Sequence, residues 1–291
     1  MPHVAERIQF EEDILTGVKE SPYQYRVLKP LLTRLIETVI APVVASPRTR
    51  HILSHSIIVF ACFLGIYYFF FAYLRHFFSV GNSIIGLLLL QAVIPLAVTG
   101  YYMAGDFITV LIYILGFLCF LHKKDHYLPL LILVGAFNRE QVIFLLLLYL
   151  AYLYSVRQLL RKDKLLIVAA SIIVYAIVFI GLRLYFGFKP SPFSIAHHLS
   201  NNTAMATLLT RTVPLWLAQI AGFLLLSLLS FKRSDLFFRL SLISLAFYVL
   251  AFFLKGNLWE LAKFLPAYLI LIPMTLQTLT GESALLRASE R

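Results

Sequence analysis

The sequence is poor in charge, in acidic residues and in cysteine. Charged side chains make up 13% of its 291 residues, with 14 Asp and Glu against 25 Lys and Arg, and there are 2 cysteines. Soluble domains carry about 25% charged residues, so this chain lacks the polar surface that a soluble protein of its length needs. Both cysteines, Cys62 and Cys119, lie inside apolar stretches. A disulfide framework or a thiolate metal centre is therefore not indicated.

The common soluble-enzyme motifs are missing too. The sequence has no Walker loop, no GxSxG elbow, no HExxH and no DNA-binding motif. A net charge of +11 would suggest nucleic acid in a soluble protein. In a membrane protein, basic residues instead set topology and contact lipid headgroups, so we expect membrane lipid and no nucleic acid as a partner.

Long runs of apolar residues are abundant in the sequence. Hydrophobic residues make up 60% of the chain, against about 45 to 50% in soluble domains. The pattern predicts an all-α polytopic membrane protein with about eight to nine membrane helices, one or two of them short or reentrant, in a single domain spanning 1–291 (an outer-face segment 1–50 and a helix bundle 51–281). The predicted spans are Ile52–Leu74, Ile84–Ala104, Phe107–Leu121, the Tyr127–Val156 pair, Leu165–Phe186, Val213–Ser230, Leu236–Leu254 and Leu258–Leu279.

Before the first span, Ser21–Ala45 has an apolar stripe running from Leu28 to Ile40, with Arg34 and Glu37 off it. This pattern predicts an amphipathic helix lying in the membrane interface, with Pro30 near its start.

The most informative stretch is Tyr127–Val156, where one apolar run meets Asn138-Arg139-Glu140 and a second apolar run follows. A charged residue at the centre of a membrane helix costs about 2.5 to 3.5 kcal/mol. We expect Arg139 and Glu140 to line a cavity, with Arg139 on a phosphate and Glu140 orienting it. The alternative is an internal ion pair that fixes a turn.

If successive spans cross the membrane in opposite directions, counted from the Lys123-Lys124 loop, most basic residues fall on one side of the membrane. The positive-inside rule makes that side cytoplasmic. The other side then holds Asp106, the 138–140 turn, the 187–211 loop and residues 255–263. That side would carry the site. The alternation also places the basic segment 1–50 outside, which breaks the rule.

Further candidates each have a structural alternative. Asp106 is a carboxylate at a cavity mouth or a helix N-cap. Glu260 and Lys263 are a site pair or an (i, i+3) pair at a span end. His197 is a base, a ligand or a surface residue of the 187–211 loop. Arg26, among aromatic neighbours, holds an anionic lipid head or anchors the interface.

Three short segments resemble a known superfamily. Tyr23-Gln24-Tyr25-Arg26-Val27-Leu28-Lys29-Pro30-Leu31-Leu32 resembles the interfacial-helix segment of bacterial GT-C-type glycosyltransferases. Gly135-Ala136-Phe137-Asn138-Arg139-Glu140 resembles their membrane-embedded Arg-Glu turn, and the segment from Glu260 to Pro266 resembles their last-span Glu-x-Arg motif.

The resemblance implies an inverting transferase in the bacterial inner membrane that moves a sugar from a polyprenyl-phosphate donor to an acceptor hydroxyl at the extracytoplasmic face. It implies Asp13, Asp106 and Glu140 as catalytic carboxylates, and Arg26, Arg139, Glu260, Lys263 and His197 as substrate-binding residues. No cofactor is implied for all members, although some use a divalent metal, and no protein partner is implied.

The sequence departs from that pattern in three ways. It shows no spanning helix before the first outer loop, Lys263 stands where an Arg is expected, and the first-loop Asp has no unambiguous match, with Glu12 and Asp13 nearest. Two other functions fit the same charges. A transporter or lipid flippase would use them to line a path without chemistry, and a non-catalytic GT-C-like subunit would retain only the fold.

Overall fold

The computed structural model describes residues 3–98 and 100–282, with Tyr101 described only in its backbone, and is all-α over those residues. The helices are α1 (Val4–Leu15), α2 (Leu28–Ile40), α3 (Pro47–Arg75), α4 (Val80–Ala97), α5 (Gly105–Leu121), α6 (Leu128–Asn138), α7 (Phe144–Ser155), α8 (Lys162–Phe186), α9 (Ile195–Thr203), α10 (Met205–Ser230), α11 (Leu236–Lys255) and α12 (Leu261–Thr280).

Six of these helices are long and apolar enough to cross a membrane, and they make the chain an integral membrane protein of polytopic helical type. They are α3, α4, α8, α10, α11 and α12. The predicted count of eight or nine spans is not confirmed, because α5 and α7 are shorter apolar helices and α6 has only 11 residues.

The spans differ in how much protein surrounds them. In α12, 89% of the most apolar window is buried, whereas in α8 the share is 11%. A helix that is apolar all round and still exposed needs an apolar solvent, so the surface of α8 is suited to lipid. The protein therefore encloses α12 and leaves α8 to the membrane.

The chain divides into two compact units. Unit 1 comprises residues 3–66, 100–143 and 165–192, and unit 2 comprises residues 67–98, 144–164 and 193–282 of the described chain. The single domain spanning 1–291 stays a prediction.

In unit 1, α5 packs along α6 and α1 packs on α2. The side chains of α5 are almost all buried, among them Phe107, Ile114 and Phe117. This packing fixes the first turn of α5 against the last turn of α6, where the charged residues of the central stretch lie.

In unit 2, α12 packs most closely against α10 and α4. Gly86 of α4 makes close approach possible, because a Cβ there would lie 2.5 Å from Leu74 Cδ1 and 3.0 Å from Leu276 Cδ1. Polar side chains also join the helices: Ser227 Oγ donates to the Leu271 carbonyl at 3.2 Å. Small residues and such hydrogen bonds are what hold helices together in lipid.

Candidate functional site

A cavity of about 40 Å³ lies in unit 1, with room for about three water molecules. Residues from α1, the first turn of α2 and the segment before it, the start of α5 and the end of α6 surround it. The lining residues are Arg7, Phe10, Glu11, Ile14, Tyr23, Arg26, Lys29, Pro30, Tyr102, Ala104, Gly105, Asn138 and Arg139.

The charge of this lining is strongly positive. Four basic side chains, Arg7, Arg26, Lys29 and Arg139, face one acidic side chain, Glu11. Basic groups held in place around a small, partly enclosed space attract an anion more strongly than they would in water. The cavity therefore suits a small anionic group, and we name it the cationic cavity.

Arg139 reaches the cavity because the chain reverses just after α6. Gly135 permits the reversal, since a Cβ there would lie 2.4 Å from Val142 Cγ2. Asn138 Nδ2 donates to the Gly105 carbonyl at 2.8 Å and to Thr109 Oγ1 at 2.9 Å. These contacts tie the end of α6 to the start of α5.

The two adjacent charges of this turn have different partners. Arg139 Nη2 donates to Asp106 Oδ2 at 2.8 Å, and both side chains are buried. Glu140 instead lies 3.7 Å from both Arg26 and Arg183. The N-cap of α5 is Ala104, so Asp106 is not a cap but the buried counterion of Arg139.

Aromatic rings support the cations around Glu140. The Arg26 guanidinium lies 5.1 Å from the centre of the Tyr23 ring, and that of Arg183 lies 4.2 Å from the Tyr25 ring. Such cation–π contacts hold a guanidinium plane in one orientation without neutralising it. Arg26 therefore lines the cationic cavity with its ring contact to Tyr23 on one side and Glu140 as its counterion at 3.7 Å.

On the opposite wall, Glu11 of α1 pairs with Lys29 of α2 through its Oε1 atom. Burial lowers the pKa of the Lys29 ammonium, and the neighbouring Glu11 carboxylate offsets part of that shift. The second oxygen, Oε2, is buried and accepts no hydrogen bond within the described part of the chain. Glu11 thus combines a fixed position with a free acceptor atom at the cationic cavity.

The structure brings four of the eight predicted site residues together: Arg26, Arg139, Asp106 and Glu140. Asp13 lies on α1, accepts a hydrogen bond from Gln9 at 2.7 Å and is not part of the cavity lining. Its catalytic role stays a prediction.

Sequence reasoning missed Arg7, Glu11 and Lys29. A signal was present, because the buried residues of α1 are Val4, Arg7, Glu11 and Ile14, which share one helix face. Two charged residues within an otherwise apolar stripe indicate a polar contact inside the fold.

In unit 2, Glu260 and Lys263 form the predicted pair, with Lys263 Nζ 2.6 Å from Glu260 Oε2. Asn257 Nδ2 donates to Glu260 Oε1 at 2.6 Å, and His198 Nδ1 lies 3.2 Å from Asn257 Oδ1. Because that oxygen is an acceptor, Nδ1 is the donor. Burial lowers the pKa of His198, which favours the neutral ring.

His197, the predicted residue, is exposed and interacts with Asn201 of its own helix, its Nε2 lying 2.9 Å from Asn201 Nδ2. The next residue, His198, is the one that joins the Glu260 group. Of these two adjacent histidines, His197 is therefore a surface residue and His198 is buried.

Asn202 holds the turn that carries this group. Its Nδ2 donates to the carbonyls of Phe253 and Gly256 at 2.9 and 2.8 Å, and its Oδ1 accepts from the Leu258 amide at 3.1 Å. We expect Asn202→Ala to destabilise the protein by about 1 to 3 kcal/mol, because buried backbone groups lose their partner. Thermal unfolding in detergent measures this.

The neighbouring variant Asn201→Ala is the control, since it removes only a contact within α9 and should leave the unfolding temperature close to that of the wild type. Equal effects of the two variants would contradict the role given to Asn202.

Within residues 3–98 and 100–282, no three His, Cys, Asp or Glu side chains are grouped so as to hold a metal ion. Comparison with known proteins adds no relative: no family model, no curated protein and no solved structure matches the chain.

Proposed function

We propose that the protein is a membrane glycosyltransferase that takes a sugar from a polyprenyl-phosphate donor, with the donor phosphate in the cationic cavity. The observation that carries the proposal is the lining itself, with four basic side chains and one carboxylate around a space of about 40 Å³. The resemblance of the Arg26 and Arg139 segments to GT-C-type enzymes supports the same function.

Both the acidic and the basic side chains of the cationic cavity act in the proposed reaction. Glu11 removes the proton of the acceptor hydroxyl, whose oxygen attacks the anomeric carbon as the bond from that carbon to the phosphate oxygen breaks. The donor phosphate carries one negative charge, whereas the departing polyprenyl phosphate approaches two near neutral pH. Cations that meet this added charge stabilise the transition state more than the bound donor, which is the requirement for catalysis.

Asp106 and Glu140 act on these cations. Asp106 holds Arg139 at 2.8 Å, and Glu140 lies between Arg26 and Arg183. A counterion beside a buried guanidinium lowers the cost of burying it and fixes its direction. In this proposal Asp106 and Glu140 are therefore positioning residues, and Glu11 is the base.

The membrane placement is also a proposal. Leu31, Leu35 and Val39 of α2 are exposed, while Lys29 and Thr33 on the other side are buried. An exposed apolar stripe beside the cationic cavity supports α2 as an interfacial helix, at the depth where a polyprenyl chain lies in lipid and its phosphate at the boundary. The cavity then faces the extracytoplasmic side of a bacterial inner membrane, with α5, α6 and α7 as short or reentrant spans that complete a count of eight or nine.

The test is transfer by the purified protein in lipid vesicles. A short-chain prenyl-phosphate sugar, labelled in the sugar, is supplied with glycan acceptors extracted from a bacterial envelope. We expect label in the glycan and release of prenyl phosphate in equal amounts. Passage of the intact donor across the vesicle without a covalent product would instead identify a transporter.

Sidedness provides an independent measurement. Single cysteines at the exposed positions 12, 197 and 255, in a variant lacking Cys62 and Cys119, should react with an impermeant reagent from outside the cell, and cysteines at the exposed positions 123 and 162 from inside. Labelling of position 12 from the cytoplasm would overturn the proposed location.

A further inference from the structure

Arg7, which lines the cationic cavity, makes a contact with His51 that depends on protonation. Arg7 of α1 donates from Nε to His51 Nε2 at 3.0 Å, and His51 Nδ1 lies 2.8 Å from Glu37 Oε1 of α2. His51 is buried in the first turns of α3. A guanidinium can only donate, so Nε2 must carry the lone pair. His51 is therefore neutral, with its one proton on Nδ1 and donated to Glu37.

This arrangement sets the position of Arg7. With Nε bound to His51, the Nη2 atom is buried and has no hydrogen-bond partner among the residues that the structure describes. Arg7 lines the cavity, so an anion bound there would supply the partner that Nη2 lacks. An unsatisfied buried donor is costly, which makes Arg7 a group built to receive a ligand.

Protonation of His51 would make its contact with Arg7 repulsive. The ring would then present N–H at both nitrogens, and at 3.0 Å an N–H would face the N–H of a second cation. The other titratable groups around His51 are Glu11 of α1 at 4.0 Å, Glu37 of α2 at 2.8 Å and His55 one turn along α3, which is itself close enough to Lys29 of α2 to interact with it. The two carboxylates would attract the imidazolium while Arg7 is repelled.

We propose that His51 is a positioning residue that holds Arg7 in the cationic cavity only while its ring is neutral, so that the cavity loses affinity for a phosphodiester when the ring is protonated. The inference rests on the proposed function, since it takes the cavity as the donor-phosphate site. The sequence shows His51 only as one of two histidines near the start of a span.

The test measures binding of a short-chain prenyl phosphodiester to the full chain in detergent by calorimetry. A phosphodiester keeps one charge across the range, so its own titration does not contribute. Between about pH 7.5 and about pH 5, we expect the wild-type affinity to fall about 10- to 100-fold, as for loss of one charge-assisted hydrogen bond.

The matched variant is His51→Gln, whose side-chain oxygen can accept from Arg7 but cannot gain a proton. Near neutral pH its affinity for the phosphodiester should lie within about threefold of the wild-type affinity, because the contact with Arg7 is kept and a broken charge-assisted contact would cost far more. Its affinity should also change little with pH. His51→Ala should bind weakly at both pH values because nothing then holds Arg7. Nitrogen NMR of the histidine rings, with His51 identified by its absence from the Gln variant, should show the neutral Nδ1–H tautomer near neutral pH.

The outcomes separate the two proposals. If wild type and His51→Gln lose affinity equally on acidification, the role of His51 is overturned and the phosphate site stands. If the wild type has no affinity for the phosphodiester at either pH, both are overturned. A protonated ring or the Nε2–H tautomer near neutral pH also overturns the role of His51.

Discussion

Replacing Arg139 with Gln is expected to destabilise the protein by about 3 to 5 kcal/mol and to abolish donor binding. The Arg139 guanidinium and the Asp106 carboxylate are both buried and meet at 2.8 Å. Removing one partner of a buried ion pair leaves the other charge without compensation, which is the costly case. Thermal unfolding in detergent measures the first effect, and calorimetry with the prenyl phosphodiester measures the second.

The double variant Asp106→Asn with Arg139→Gln separates folding from function. It removes both charges and keeps hydrogen-bonding amides of similar shape, so most of the lost stability should return. Donor binding should stay weak, because the cationic cavity has still lost one of its four cations. Recovery of binding in the double variant would show that Arg139 serves the fold and not the ligand.

A second arginine–aspartate pair gives the matched control for Arg139→Gln. Arg161 and Asp163 meet at 3.0 Å with both side chains more than half exposed. Exposed pairs contribute little because water screens them. Arg161→Gln should therefore leave the unfolding temperature nearly unchanged, and a loss as large as that of Arg139→Gln would contradict the importance given to burial.

The helices were largely predictable, because apolar length alone indicates a span. Leu236–Leu254 and Leu165–Phe186 were predicted, and the helices run over Leu236–Lys255 and Lys162–Phe186. The predicted Ser21–Ala45 helix is shorter, with a separate 3₁₀ turn at Tyr23–Tyr25 before Leu28–Ile40. The ends of helices are harder to predict than their centres, because local capping contacts decide where a helix ends and hydropathy does not describe those contacts.

The partners of the charges were less predictable. The sequence shows Arg139 and Glu140 side by side, which suggests a pair, yet their partners lie 33 residues away at Asp106 and 114 residues away at Arg26. Tertiary packing of α5 on α6 creates the first contact, and the segment before α2 supplies the second. Hydropathy carries no information on such contacts, because it describes each stretch alone.

The same limit applies to α1, which the sequence places only within the outer-face segment 1–50. Its apolar positions are too few to span a membrane, and its buried face includes Arg7 and Glu11. Those side chains have partners only once Lys29 and His51 are in place. The sequence points to Glu12 and Asp13 in this helix, but the choice of residue among Glu11, Glu12 and Asp13 depends on which way the helix faces.

That choice leads to the second large effect, which concerns Glu11. Glu11→Gln is expected to lower glycosyl transfer by about 10² to 10⁴, the usual contribution of a general base. Gln keeps the shape of the side chain and an oxygen acceptor for Lys29, but it does not take up the hydroxyl proton. Transfer of labelled sugar in vesicles measures the loss.

Donor binding should survive this change. The four cations of the cationic cavity remain, and removing the one acidic side chain among them makes the lining more positive. We therefore expect a phosphodiester affinity at least equal to that of the wild type together with slow transfer. Loss of binding and transfer in parallel would show instead that Glu11 acts only by holding Lys29.

Asp13→Asn is the matched control, because it removes a carboxylate two residues away on the same helix. Asp13 contacts Gln9 and is not part of the cavity lining. The rate of transfer should therefore stay within about threefold of the wild-type rate, whereas the loss of a general base lowers a rate much more. A severe loss in Asp13→Asn with normal transfer in Glu11→Gln would return the base to Asp13, the residue that the sequence predicted. It would also mean that the acceptor approaches from the other face of α1, since side chains two residues apart on a helix point in different directions.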